Sequence, residues 1–180
     1  MPTDARRPLT PPAGSPTAPP RVAFQGDHGA YSEDAVLLHW GGRVAPVPTD
    51  SCAHVAQRVA DGAVDAGLLP IENSLAGSVV ATYDALAAAA DRVTLVGEVI
   101  LPIRHCLLAP PGATLDGLAQ GESHPIALAQ CARFLDGRRG LAVHAAWDTA
   151  GSARAVAEAN DPTRAAIAGR GAAARFGLAV

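Results

Sequence analysis

From Arg21 onward, short aliphatic runs alternate with amphipathic stretches, and glycine, proline or a capping side chain separates each from the next. RVAFQG reads as a buried strand. YSEDAVLLHWGG reads as a helix, with Ser32 as its N-cap, Glu33 and Asp34 at the positive end of its dipole and Gly41 at its close. RVAPVP is a strand whose prolines place it near a sheet edge. TDSCAHVAQRVADG is a helix, with Val55 and Val59 one turn apart and Gly62 at its end. Strands that alternate with helices across short turns fold into α/β layers around mostly parallel sheets.

The alternation continues with strand AVDAGLLPI and helix SVVATYDALAAAA. VTLVGEVILPIRHCLLAP is too long for one strand and reads as two in succession, crossing from one lobe to another. A short helix near Leu115 follows, then helix PIALAQCARFLDG, strand LAVHAAW, helix TAGSARAVAEA, strand RAAIAGR, helix GAAARFG and the start of a strand at LAV. No repeat of solenoid period emerges.

A length of 180 residues allows one domain with a real core or two small lobes. The formal net charge of -3 argues against nucleic acid and anionic membrane surfaces, which call for clustered Lys and Arg. No run of apolar residues is long enough to predict a membrane span. Residues 1–20 hold nearly half of the prolines and no apolar cluster, and are expected to be a disordered tail without a secretory h-region. Cys52, Cys106 and Cys131 form no disulfide framework and read as buried free thiols, so a cytoplasmic location is expected.

Three stretches can carry chemistry, and each also has a purely structural reading. FQGDHGAYS takes a strand through Gly26 and Gly29 into a helix, where backbone N–H groups can meet an anion; an ordinary glycine-rich turn is the plainer reading of the residues alone. LLPIENSLAG sets Glu72, Asn73 and Ser74 side by side at a strand end. One of them capping the next helix would account for one polar group but not three. In SHPIALAQC, Ser123 or His124 caps and Pro125 opens the helix. Leu128, Cys131 and Leu135 would mark its buried stripe, leaving Gln130 beside it to face a ligand or another lobe. The six histidines show no metal spacing, and His105 reads as core-lining. No nucleophile elbow or phosphate-binding P-loop is present.

Together, FQGDHGAYSEDA, GLLPIENSLAGSVVATYDAL, SHPIALAQCARFL and WDTAGSARAV, in that order, resemble the catalytic domain of prephenate dehydratase, from about Val22 to Val180. The resemblance implies a two-lobed α/β fold like that of periplasmic binding proteins, with the active site in a cleft between lobes at about Val22–Gly97 and from Glu98 on. It implies conversion of prephenate to phenylpyruvate with loss of carbon dioxide and water, in phenylalanine biosynthesis, by a homodimer that needs neither metal nor redox cofactor. Asn73, Ser74 and Gln130 match cleft-lining residues. Gly29, Ala30, Tyr31 and Ser32 match the substrate loop, and Glu72 matches a residue that orients the Asn73–Ser74 loop. Thr82 matches a threonine common in the family.

His28, Ala30 and Ile126 depart from the residues more usual at their positions. The family's Thr-Arg-Phe motif, whose threonine is central to catalysis, is expected after the strand that starts at Leu178 and therefore past Val180. The chain is thus expected to be a C-terminally shortened catalytic domain without a regulatory domain, weak or inactive by itself. A non-catalytic binding module with the same cleft, and an arogenate dehydratase, are the alternative readings.

Overall fold

A computed structural model describes residues 18–180. The chain divides into two compact units. The first runs to Leu101 except for Asp27–Tyr31, which belong with Pro102–Val180 in the second.

In the first unit, β1 (Arg21–Gln25) lies between β2 (Ala45–Thr49) and β3 (Ala66–Leu68), both parallel to it. Val22, Ala23 and Phe24 of β1 are fully buried. Proline cannot complete a ladder on both sides, so Pro46 and Pro48 suit the edge position that β2 takes. Helix α1 (Tyr31–Trp40) has Glu33 and Asp34 in its first turn. It begins two residues before the Glu33 start that a Ser32 N-cap implies, so Ser32 sits inside the first turn and is not the N-cap. Helix α2 (Cys52–Ala60) is capped by Ser51, whose side chain accepts from the His54 N–H at 3.2 Å. Val55 of α2 joins Ala23 and Val64 in a core cluster. A β-carbon on Gly67 of β3 would lie 2.7 Å from Val55 Cγ1, so glycine lets α2 approach the sheet closely. A short hairpin follows, β4 (Glu72–Asn73) with β5 (Gly77–Ser78), and then α3 (Val80–Ala88). Cys52, Ala56, Ala85 and Ala89 form a second cluster built from small side chains.

The second unit holds a four-stranded sheet in the order β6 (Cys106–Leu108), β9 (Arg164–Ala168), β7 (Gln120–Ser123), β8 (Ala142–Ala145). Only the β6–β9 pair is antiparallel in it. Helices α4 (Pro125–Gln130) and α5 (Ala132–Asp136) follow β7. Helix α6 (Thr149–Ala159) precedes β9, and α7 (Arg170–Phe176) follows it. Leu108, Ala153, Val156, Ala166, Ala168 and Leu178 belong to its core. Asp148 caps α6 through the Gly151 N–H.

The α/β class with mostly parallel sheets is therefore the one the alternation predicts. Several local expectations are corrected. Residues 93–105 carry no strand, and the long extended run yields only β6. An extended segment becomes a strand only where a neighbour completes its ladder, and Pro102 has no N–H to offer one. The helix over PIALAQCARFLDG is two helices broken at Cys131. Leu128, Cys131 and Leu135 are half-buried, and Ala127 is the residue that α4 buries fully. Cys52 is buried, but Cys106 and Cys131 are only partly so; all three thiols are free. Most of the tail expected over residues 1–20 lies outside the described residues; its last member, Pro20, already accepts from the Ala45 N–H at 2.8 Å. Among the described residues, no helix is long and apolar enough to cross a membrane.

Candidate active site

Three polar side chains of the second unit form a connected chain. The Tyr31 hydroxyl lies 2.8 Å from His105 Nδ1, and His105 Nε2 lies 2.7 Å from Gln130 Oε1. The Tyr31 hydroxyl is also 3.2 Å from the Arg104 carbonyl oxygen. Tyr31 opens α1, Gln130 closes α4, and His105 sits immediately before β6. Each is partly buried, and the Tyr31 and His105 rings meet edge to face with centroids 5.6 Å apart. His105 thus takes a place in the candidate site, where the sequence predicts a core-lining residue. Its position beside Gln130 was hidden because the two are far apart along the chain, and no metal or catalytic spacing marks either. His105 also borders an apolar cavity of about 530 Å3, together with Cys106, Leu115, Cys131, Phe134 and Ile167.

Glycine shapes the approach to Tyr31. Gly29 has φ +86°, and a β-carbon there would lie 3.1 Å from the Ala172 backbone and 3.2 Å from the Phe176 ring. Gly29 therefore supplies both a left-handed turn and close contact with α7. A β-carbon on Gly169 would lie 2.8 Å from Tyr31 Cε1, so Gly169 leaves the space that the tyrosine ring fills. Asp27 pairs with Arg154 at 2.7 Å and ties the same loop to α6. Ala30 and Ser32 flank Tyr31 and are half-buried.

In the first unit, Asn73 closes the β4–β5 hairpin. Its Oδ1 accepts from the N–H groups of Leu75 and Ala76, at 2.9 and 3.0 Å. This is a turn of the Asx kind, made by the side chain on its own backbone. It leaves the Asn73 amide donors, the exposed Ser74 and the exposed Glu72 at one hairpin end. Neither Asn73 nor Ser74 caps α3, whose N-cap is Val79 with no side-chain bond. Nor does a hydrogen bond join the Glu72 carboxylate to Asn73 or Ser74. Buried Thr82 donates to the Pro70 carbonyl at 2.6 Å, holding the strand end that leads into this hairpin.

In the SHP block, His124 is the cap, accepting from the Ile126 N–H at 3.2 Å, and Pro125 takes the first turn as expected. Ser123 is fully buried and donates to the Ile167 carbonyl of β9, so it braces the sheet. Burial pushes the Cys131 thiol above its ordinary value, which keeps it neutral and a poor nucleophile. Burial first, and the neighbouring Glu33 charge second, also raise the Asp34 carboxyl. The Tyr31–His105–Gln130 group thus offers hydrogen-bond donors and acceptors beside an apolar cavity, a combination suited to orienting and electrostatically stabilising a polar small molecule.

The family model described as prephenate dehydratase matches residues 22–180. The chain is 43% identical over 158 residues to arogenate dehydratase/prephenate dehydratase 2, chloroplastic, of Arabidopsis thaliana, spanning 88% of this chain and 40% of that protein. It is similar to a prephenate dehydratase of Arthrobacter aurescens solved with L-Phe, with TM-score 0.80 and 32% identity, covering 89% of this chain and 54% of that one. It is also similar to GqqA, a structure described as a novel type of quorum-quenching acylase, with TM-score 0.81 and 35% identity over 89% of this chain and 57% of that one. The chain thus spans about two-fifths of the length of the curated relatives it matches. The chloroplastic names of the Arabidopsis relatives overturn the cytoplasmic location expected from cysteine usage, because reduced thiols do not distinguish one reducing compartment from another. On the strength of a match that covers nearly all of the described residues, this chain belongs to the prephenate dehydratase family.

Proposed function

We propose that this chain supplies the dehydratase domain of an enzyme that converts prephenate to phenylpyruvate or arogenate to phenylalanine. In either reaction a ring carboxylate leaves as carbon dioxide, its bonding electrons enter the ring, and the ring hydroxyl departs as water once it receives a proton. The aromatic ring formed supplies the driving force. The protein has to orient a dianionic or zwitterionic substrate and support the departing oxygen.

The observation that carries the reading is the family match over residues 22–180. The Tyr31–His105–Gln130 chain supports it by fixing a carboxamide within the matched SHP block. Gln130 and the amide of Asn73 are the side chains proposed to contact substrate, with Ser74, Glu72 and the Gly29–Ser32 loop beside them. A lobe boundary near Gly97, and a homodimer, are part of the same proposal; light scattering of the purified protein tests the dimer.

The test is turnover by the native gene product. Phenylpyruvate formed from prephenate is followed by its ultraviolet absorbance, and phenylalanine formed from arogenate by chromatography. The faster substrate identifies the preference. Binding of both without turnover would favour the non-catalytic module. The likeness to the quorum-quenching acylase favours a second reading, hydrolysis of an acyl amide. Acyl-amide cleavage by the same preparation, with neither dehydration detected, would establish that reading instead.

A further inference from the structure

We propose that His105 is a positioning residue which, with Tyr31, sets the orientation of the Gln130 carboxamide so that its N–H2 group faces the substrate. This rests on the dehydratase reading and assigns a role inside its site.

The direction of the hydrogen bonds follows from counting protons. Gln130 Oε1 lies 2.7 Å from His105 Nε2, and an amide oxygen only accepts, so Nε2–H is the donor. With its ring proton on Nε2, His105 has a lone pair at Nδ1 that meets the Tyr31 hydroxyl at 2.8 Å; the Arg104 carbonyl lies 3.2 Å from the same hydroxyl. A carboxamide whose oxygen is fixed has its nitrogen fixed too, and that nitrogen presents two N–H donors. Donors of this kind suit a carboxylate or a departing hydroxyl oxygen of the substrate. The reverse arrangement would place the Gln130 oxygen outward and repel a carboxylate. It needs the carboxamide nitrogen at Nε2, where the structure has the oxygen at 2.7 Å.

The edge-to-face packing of Tyr31 on His105 and the space left at Gly169 hold the relay in register. Tyr31 and His105 are placed to act through Gln130, which separates this role from direct contact with substrate.

Two measurements on the native protein test it. Long-range proton–nitrogen correlation of the imidazoles, without substrate, is expected to show His105 as a single tautomer protonated on Nε2. A proton on Nδ1, or an even mixture of tautomers, overturns the proposal. In turnover, Tyr31→Phe is expected to lower kcat/KM by about tenfold in the otherwise native enzyme, and by less than about twofold in the Gln130→Ala background. An equal loss in both backgrounds, or no loss in either, overturns it, provided that thermal melts show both variants folded. If the native enzyme turns over neither substrate, the dehydratase reading fails, and the imidazole spectrum still decides the direction of the relay.

Discussion

The Thr82 hydroxyl donates to the Pro70 carbonyl at 2.6 Å, from a side chain with no exposed surface. This bond joins α3 to the strand end from which the Glu72–Asn73–Ser74 hairpin leaves. It gives Thr82 a structural role in holding that hairpin, and the role needs no contact with substrate.

Thr82→Val keeps the shape and deletes the donor, leaving the Pro70 carbonyl without it. The expected loss is about 1–3 kcal/mol in urea unfolding. Thr82→Ser, which retains the hydroxyl, is expected to recover most of it. Native stability in Thr82→Val, with a loss in Thr82→Ser, would show that packing of the methyl group, and not the hydrogen bond, is what matters.

Asn73 has two separable functions in this account. Its oxygen closes the turn on Leu75 and Ala76, and its amide is the group proposed to meet substrate. Asn73→Asp keeps the acceptor and removes the donor, so thermal stability should stay near native while kcat/KM falls. Asn73→Ala removes both and should also lower stability by about 1 kcal/mol. Native kinetics in Asn73→Asp would reduce the residue to a turn-former.

Gly169 is required by the ring beside it. Its own φ is -74°, so backbone strain is not the reason. Gly169→Ala would drive a methyl group into Tyr31 Cε1 at 2.8 Å. The expected result is a displaced Tyr31, a weakened His105 contact and slower turnover, with changed nitrogen shifts of the His105 imidazole. Unchanged shifts would show that the ring has room to yield.

Asp161 gives a pH signature. Hydrogen bonds from the Thr163 backbone and hydroxyl, at 2.8 and 2.7 Å, hold its carboxyl below the ordinary value of 3.8. A lowered folded-state value contributes stability that is present above the unfolded value and lost as pH falls through the folded one. Asp161→Asn should therefore narrow the difference in unfolding midpoint between neutral and strongly acidic solution. Parallel acid profiles for the two proteins would remove the effect.

Much of the fold was legible because its signals are local. Prolines sent β2 to an edge, and small aliphatic residues marked β1 as buried. The failures share a cause. Residues 93–105 have the composition of a strand, but ladder pairing depends on neighbours that the segment does not itself specify. Ser123 looked like a cap because serine before His-Pro usually is one; its bond to Ile167 depends on β9, far along the chain. Gln130 was singled out by its place beside a helix stripe, whereas His105 carried no such mark. Only the folding of β6 beside β9, with α4 following β7, brings it to Gln130.

The most direct test is the turnover of prephenate and arogenate by the native protein and by its Gln130→Ala variant, with thermal melts of both. The account predicts measurable dehydration by the native protein and a fall of about tenfold to a hundredfold in kcat/KM for the variant at unchanged stability. Equal kcat/KM in the two proteins, or no dehydration of either substrate by the native one, would contradict it.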